Sequence, residues 1–108
     1  HTLGHSIEQY YHYTGISHGR AVAKGMEIIT DLAEKRGMCR KGLTADLCGC
    51  LKKYELTRDI EPTPAQLGSA CMNDKKRDGS SIHVIICSDI GKSSAVKMSV
   101  ADFNDFLA

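Results

Sequence analysis

Long apolar runs, a strong excess of one charge and an initiator methionine are all missing from this sequence. No apolar run approaches the roughly 20 residues of a membrane-spanning helix. The formal net charge is +1, which argues against a nucleic-acid-binding stripe or an acidic tail. The first residues also lack the basic, apolar and small-residue layout of a signal peptide. We therefore expect a cytoplasmic protein that binds neither membranes nor nucleic acids.

Internal divisions are missing as well. No repeat, low-complexity tract or linker interrupts the 108 residues, so one domain is predicted over 1–108. No Gly-rich nucleotide loop follows a strand, and no residue here is predicted to bind a dinucleotide. Because the first residue is His1 rather than methionine, we expect the chain to be a fragment with further sequence upstream.

The five cysteines do not form a recognisable framework. Their number is odd, and their spacing matches neither a disulfide pattern nor a pair of CxxC zinc ligands. We predict that they are reduced and mostly buried, as in a cytosolic protein. The positions concerned are Cys39, Cys48, Cys50, Cys71 and Cys87.

The apolar periodicity predicts a mainly α domain with one late β-hairpin. A first helix ends near Tyr11, a second runs from the Ser17 cap to about Arg36, and Gly37 ends it. A third helix carries apolar residues from Leu43 to Tyr54. Further predictions are a fourth helix at a Thr63–Gln66 capping box that ends near Asn73 and strands at 82–87 and 95–98. A last helix is predicted after the Ser99 cap, with an apolar buried face formed by Phe103, Phe106 and Leu107.

Histidines near the start of the chain are the strongest chemical signal. His1 and His5 are four residues apart, so their side chains share one face of a helix. His18 heads an apolar stripe with Val22 and Met26, so we predict that it points inward. Neutral imidazole is a metal ligand and an acid–base group. Structural roles are the alternative for all three, and we expect His12 to lie on the surface and His83 to be a buried or edge histidine.

Two lysines, Lys75 and Lys76, follow the predicted fourth helix. Cations beyond a helix C-terminus are favoured by the helix dipole, which explains them without a function. They are equally suited to hold an anionic substrate. Composition does not choose between these interpretations.

Three segments resemble the signature of 3-dehydroquinate synthases, in the order of that family. HTLGHSIE (1–8) is similar to GHTxGHAxE, and HGRAVAKGM (18–26) to HGExVAxGM. MNDKKRDG (72–79), a strand and the Asp89–Lys92 turn resemble the later DKK segment of the family. The resemblance implies a multihelical C-terminal metal- and substrate-binding domain, whose N-terminal NAD-binding domain is absent.

Specific roles follow from the resemblance. It implies that His1 and His18 are ligands of a divalent metal, zinc or cobalt, with a third glutamate ligand upstream. His5 is implied to be catalytic and to contact the substrate, while Lys76, or alternatively Lys75, binds substrate. The implied reaction converts the sugar-acid phosphate DAHP to 3-dehydroquinate and phosphate in the shikimate pathway with transient oxidation by NAD. We expect a homodimeric full-length enzyme, and an isolated chain that is inactive and binds zinc weakly.

Arg20 departs from the family pattern, which has glutamate at this position. Arginine at the third helical position opposes the helix dipole and removes one half of a capping box. An acidic partner for Arg20 or an altered substrate would explain the change. An altered substrate corresponds to an inosose- or amino-dehydroquinate-type cyclase. Independently of Arg20, two other classes are alternatives: a metal-dependent alcohol or glycerol dehydrogenase, and a non-catalytic helical module.

Overall fold

The computed structural model describes residues 1–70 and 81–108, which contain five helices and one antiparallel hairpin. The predicted mainly α fold with one hairpin is confirmed. No helix in these two ranges is long and apolar enough to cross a membrane. The elements in chain order are α1 (Thr2–Tyr10), α2 (His18–Lys35), α3 (Leu43–Lys53), α4 (described over 64–70), β1 (Ile82–Asp89), β2 (Lys92–Met98) and α5 (Val100–Leu107).

The predicted helix caps form as expected. Ser17 Oγ accepts a hydrogen bond from the Arg20 N–H at the start of α2, and Ser99 Oγ accepts one from Asp102 N–H at the start of α5. Thr63 and Gln66 exchange both bonds of a capping box before α4. These short side chains fix three helix starts by satisfying backbone donors that have no partner within the helix.

Gly37 ends α2 in the left-handed conformation, with a φ of 71°. Its N–H donates to Glu34 O, and the next N–H, of Met38, donates to Ala33 O. This is the Schellman arrangement, which favours glycine because a side chain at this φ is strained.

The start of α3 is capped by another helix rather than by its own residue. Gly42 precedes α3 and has no side chain to cap it. Instead, Glu34 Oε1 from α2 accepts a hydrogen bond of 2.9 Å from the Thr44 N–H. This bond lowers the pKa of Glu34 below its ordinary value. The contact also ties α3 to α2.

Two glycines allow α1 and α2 to pack with their backbones close together. A Cβ at Gly25 would lie 3.1 Å from the backbone nitrogen of Gly4. A Cβ at Gly4 would lie 3.2 Å from Val22 Cα. Both distances are tighter than ordinary Cβ contacts, so the two helices can approach this closely only because both positions lack a side chain.

The hairpin is longer than the sequence predicts. Its strands pair from Ile82↔Met98 to Asp89↔Lys92, so the turn is Ile90-Gly91 rather than 88–93. The extra residues pair because Gly91, with a φ of 78°, allows a two-residue turn. Arg40, which precedes α3, donates a hydrogen bond of 2.8 Å from Nε to Asp89 Oδ1 at the turn end of β1. This bond lowers the pKa of the Asp89 carboxyl group.

The core lies between one face of the hairpin and the helices. Alternate β1 residues point into it, and α5 covers the hairpin with its apolar face as predicted. The Ser6 hydroxyl donates to Leu67 O at 2.8 Å, which joins α1 to α4 within the core. Buried members include Leu3, Ile7, Ile16, Ala21, Leu67, Ile82, Val84, Ile86, Phe103, Phe106 and Leu107.

Several sequence predictions about burial are wrong. The stripe that contains Val22 and Met26 borders an open groove rather than the core, and Met26 is 48% exposed. Cys50 and Cys87 are exposed, whereas Cys39 and Cys48 are only half-buried. All four are free thiols, and Cys71 lies outside the described residues. Tyr54, which ends the predicted apolar stripe of α3, is exposed as well.

The close contact of α1 and α2 predicts that replacing glycine by alanine changes the stability in opposite directions at Gly25 and at Gly49. Gly25→Ala should lower the free energy of unfolding by about 1 kcal/mol or more, because Gly4 is itself confined by Val22 and cannot move away. Gly49→Ala is the control, since a Cβ there meets nothing within 4 Å. It should raise stability by about 0.5–1 kcal/mol through helix propensity. Urea unfolding of both variants checks this, and equal stabilisation would refute the packing constraint.

Candidate metal and substrate site

Three imidazole rings cluster at one end of the α1–α2 pair. The ring centroids of His1 lie 5.6 Å from those of both His5 and His18. The centroids of His5 and His18 are 6.3 Å apart. The structure therefore brings together the three histidines that the sequence singled out.

Backbone geometry places each ring. His1 directly precedes α1, and its carbonyl accepts the His5 N–H at 2.7 Å, so the two rings lie one helical turn apart. His18 is the first residue of α2, directly after its Ser17 cap. The glycine contact between the helices brings the start of α2 beside α1. Local helix geometry and one tertiary contact thus account for the cluster.

His18 does not point into the core as its helical phase predicts. Its side chain is 59% exposed, because the 18–22–26 stripe faces the groove and the first turn of α2 has little packed over it. The ring is nevertheless held: His18 Nδ1 lies 3.0 Å from Glu8 Oε1 of α1. Glu8 itself is mostly covered, with 16% of its side chain exposed.

The donor set suits a divalent transition metal, but it is incomplete on its own. Imidazole nitrogen is a common ligand of zinc and cobalt. Within residues 1–70 and 81–108, no three His, Cys, Asp or Glu side chains converge as a complete metal site. The contact with Glu8 involves only Nδ1 of His18, so Nε2 is not part of it. Imidazole nitrogens of the cluster could contribute to a metal site only together with a further ligand from elsewhere.

A largely apolar groove of about 580 Å³ opens beside His1. It lies between the helices and the outer face of β1, on which His83 is exposed. Of the two predicted positions for His83, buried or edge, the structure shows the edge, because β1 pairs only with β2 in the described residues. His83 is not part of the imidazole cluster. Residues along the groove include Val22, Met26, Ile29, Leu47, Ile85 and Phe103.

The remaining predicted site residues are apart from the cluster or cannot be placed. His12 is exposed after α1, as expected, and has a positive φ of 55°. Lys75 and Lys76 lie outside the described residues. Their predicted contact with substrate therefore stays a prediction.

Arg20 has a partner, although not the acidic side chain that the sequence suggested. Its Nε donates to the Glu55 carbonyl oxygen at 3.3 Å. Glu55 follows α3 with a left-handed φ of 58°, which turns the chain there. No acidic residue occupies the first turn of α2, so nothing there offsets the charge of Arg20 against the helix dipole.

The sequence of this chain is similar to those of known proteins. A sequence profile described as 3-dehydroquinate synthase C-terminal matches residues 1–77. The chain belongs to the 3-dehydroquinate synthase family. It is 38% identical over 104 residues to the 3-dehydroquinate synthase of Clostridium perfringens (strain SM101 / Type A), covering 95% of this chain. It is 35% identical over 108 residues to that of Streptococcus thermophilus (strain ATCC BAA-491 / LMD-9). The matches cover 30% of the length of each relative.

Solved structures show the same fold for this member of the family. A 2-deoxy-scyllo-inosose synthase complexed with carbaglucose-6-phosphate, NAD+ and Co2+ superposes with a TM-score of 0.74 at 22% identity. The superposition covers 99% of this chain and 32% of that one. A second structure of a 2-deoxy-scyllo-inosose synthase gives 0.73 at 21% identity. The chain therefore shares its fold with the matching part of these two synthases.

Glu8 is the site residue that sequence reasoning missed. It stood inside the HTLGHSIE motif without an assigned role. Its position seven residues after His1, two helical turns along the same face, was the available signal. What the sequence could not show was that His18 would lie within hydrogen-bonding distance.

Arg20→Glu should raise the melting temperature by a few degrees. Glutamate would complete the capping box with Ser17 and favour the helix dipole, a gain of about 0.3–1 kcal/mol. The lost bond to Glu55 is exposed and long, so it should contribute less. Arg20→Gln should rank between the two, because it supplies the capping group without the charge. Thermal unfolding tests this order, and destabilisation by both changes would show that the Glu55 bond is the larger effect.

Proposed function

We propose that this chain is the C-terminal metal- and substrate-binding part of a 3-dehydroquinate synthase, a carbon–oxygen lyase. The whole enzyme would convert DAHP to 3-dehydroquinate and phosphate, with NAD held mainly by sequence that precedes His1. The observation that carries the proposal is the clustering of His1, His5 and His18 within 5.6–6.3 Å, in a chain of this family. A cytoplasmic homodimer is the assembly that we propose with it.

His1 and His18 are proposed to hold the divalent metal, zinc or cobalt, through imidazole nitrogen. A glutamate ahead of His1 in the whole protein would complete the ligand set. When bound, the metal supplies Lewis-acid polarisation of a substrate oxygen. The Glu8 bond to His18 and the packing of α1 on α2 support this assignment, because both fix the rings before a metal binds.

His5 is proposed to act on the substrate rather than on the metal. It is exposed, lies one turn from His1 and is free to exchange a proton or to donate a hydrogen bond to a phosphate oxygen. Lys76 is the proposed lysine for the substrate anion, with Lys75 as the alternative. An ammonium group suits a ligand that carries both phosphate and carboxylate.

A chimera tests the proposal in the context of a whole enzyme. The chain replaces the matching segment of the Clostridium perfringens relative, and phosphate release from DAHP is measured with NAD and added Zn²⁺. We expect turnover by the chimera and none by the isolated chain. His1→Ala and His18→Ala should each lower kcat/KM at least 100-fold, and His5→Ala and Lys76→Ala should lower it as well.

His12→Ala is the matched control, because His12 is exposed and outside the cluster. It should leave kcat/KM unchanged. Activity that survives His18→Ala would refute the metal assignment. Turnover of a hexose phosphate in preference to DAHP would instead favour the inosose-type cyclase.

A further inference from the structure

We infer that Glu8 is a positioning residue that fixes the tautomer and orientation of His18. This inference rests on the proposed role of His18 as a metal ligand. Glu8 would not bind the metal itself but would act through His18. The supporting geometry is the 3.0 Å separation of Glu8 Oε1 and His18 Nδ1.

The chemistry of the two partners determines which nitrogen carries the proton. An ionised carboxylate only accepts hydrogen bonds, so His18 must donate from Nδ1. In a neutral ring, the lone pair is then on Nε2, and that nitrogen is the one available to a metal. Without an acceptor at Nδ1, the exposed ring would distribute its proton over both nitrogens and rotate more freely.

Glu8 is well placed to act as a fixed reference for the ring. It follows Ile7, which is fully buried, with 0% of its surface exposed. The Glu8 carboxylate is mostly covered, whereas His18 is mostly exposed. The more covered partner therefore belongs to packed α1, and it holds the exposed ring at the start of α2. Carboxylate partners of this kind orient metal-binding histidines in many proteins, and their loss lowers metal affinity by about 10–100-fold.

A merely structural ion pair predicts a different outcome. Exposed pairs between charged side chains contribute little to stability. If Glu8 only joined α1 to α2, its replacement could shift the His18 tautomer but would leave the metal affinity unchanged. A tautomer shift accompanied by a loss of metal affinity therefore separates the two roles, whereas thermal stability does not.

The test uses the 108-residue chain, with nitrogen-15 NMR of the histidine rings and Zn²⁺ titration. Wild type should show His18 protonated at Nδ1 in its neutral form. Glu8→Leu should show a mixture with the Nε2-protonated form and bind Zn²⁺ at least about tenfold more weakly. Glu8→Gln keeps the shape of the side chain and guards against a folding failure of the leucine variant. Its amide can donate as well as accept, so it should give a smaller change in the same direction.

Glu27→Leu is the matched control. Glu27 lies on α2, is similarly covered and pairs with Lys24 at 3.3 Å rather than with a histidine. Its replacement should change neither the His18 tautomer nor the zinc affinity. The inference would be overturned if both Glu8 variants folded, kept the wild-type tautomer of His18 and bound Zn²⁺ within twofold of the wild-type affinity.

A different pattern identifies failure of the proposed function itself. The His18→Ala variant should lose most of the zinc affinity of wild type. If Glu8→Leu changed the tautomer but His18→Ala bound Zn²⁺ like wild type, the proposed metal site would be refuted. The positioning role of Glu8 would then be overturned as well, although the hydrogen bond between Glu8 and His18 would remain.

Discussion

The close approach of α1 and α2 at Gly4 and Gly25 is the constraint on which the site depends. Because neither residue has a Cβ, the helix backbones pack with almost no space between them. This contact sets the separation of the histidines on α1 from His18 on α2. Gly4 lies on the same face of α1 as His1 and His5. A change in the packing at Gly4 would therefore also change the positions of the two histidine rings.

Local chemistry explains which parts of the fold the sequence could predict. The Ser17, Thr63 and Ser99 caps, Gly37 and the apolar face of α5 each depend on a few neighbouring residues, and all are confirmed. Apolar periodicity shows which residues share one face of a helix. Whether that face is buried depends on which other elements pack against it. The inward prediction for His18 failed for this reason: its stripe faces an open groove. The capping of α3 by Glu34 was likewise unpredictable, since it comes from a different helix.

The site itself was predictable mainly through family resemblance. Helical spacing joined His1 to His5, but only the signature motifs connected them to His18, and the structure confirms that all three rings are neighbours. Spacing could not reveal the Glu8 bond to His18, because it joins two helices whose relative position depends on tertiary packing. Arg20 shows the same limit, since its partner is a backbone carbonyl at the end of α3.

Helix packing assembles the imidazole cluster without a metal in this structure. Nuclear Overhauser contacts between the ring protons of His1, His5 and His18, recorded with a chelator present, test it most directly. The packing account predicts contacts between the His1 and His18 rings in the metal-free chain, and weaker ones in Gly25→Ala. Rings that show no contact until Zn²⁺ is added would contradict it, because the metal rather than the glycine contact would then assemble the site.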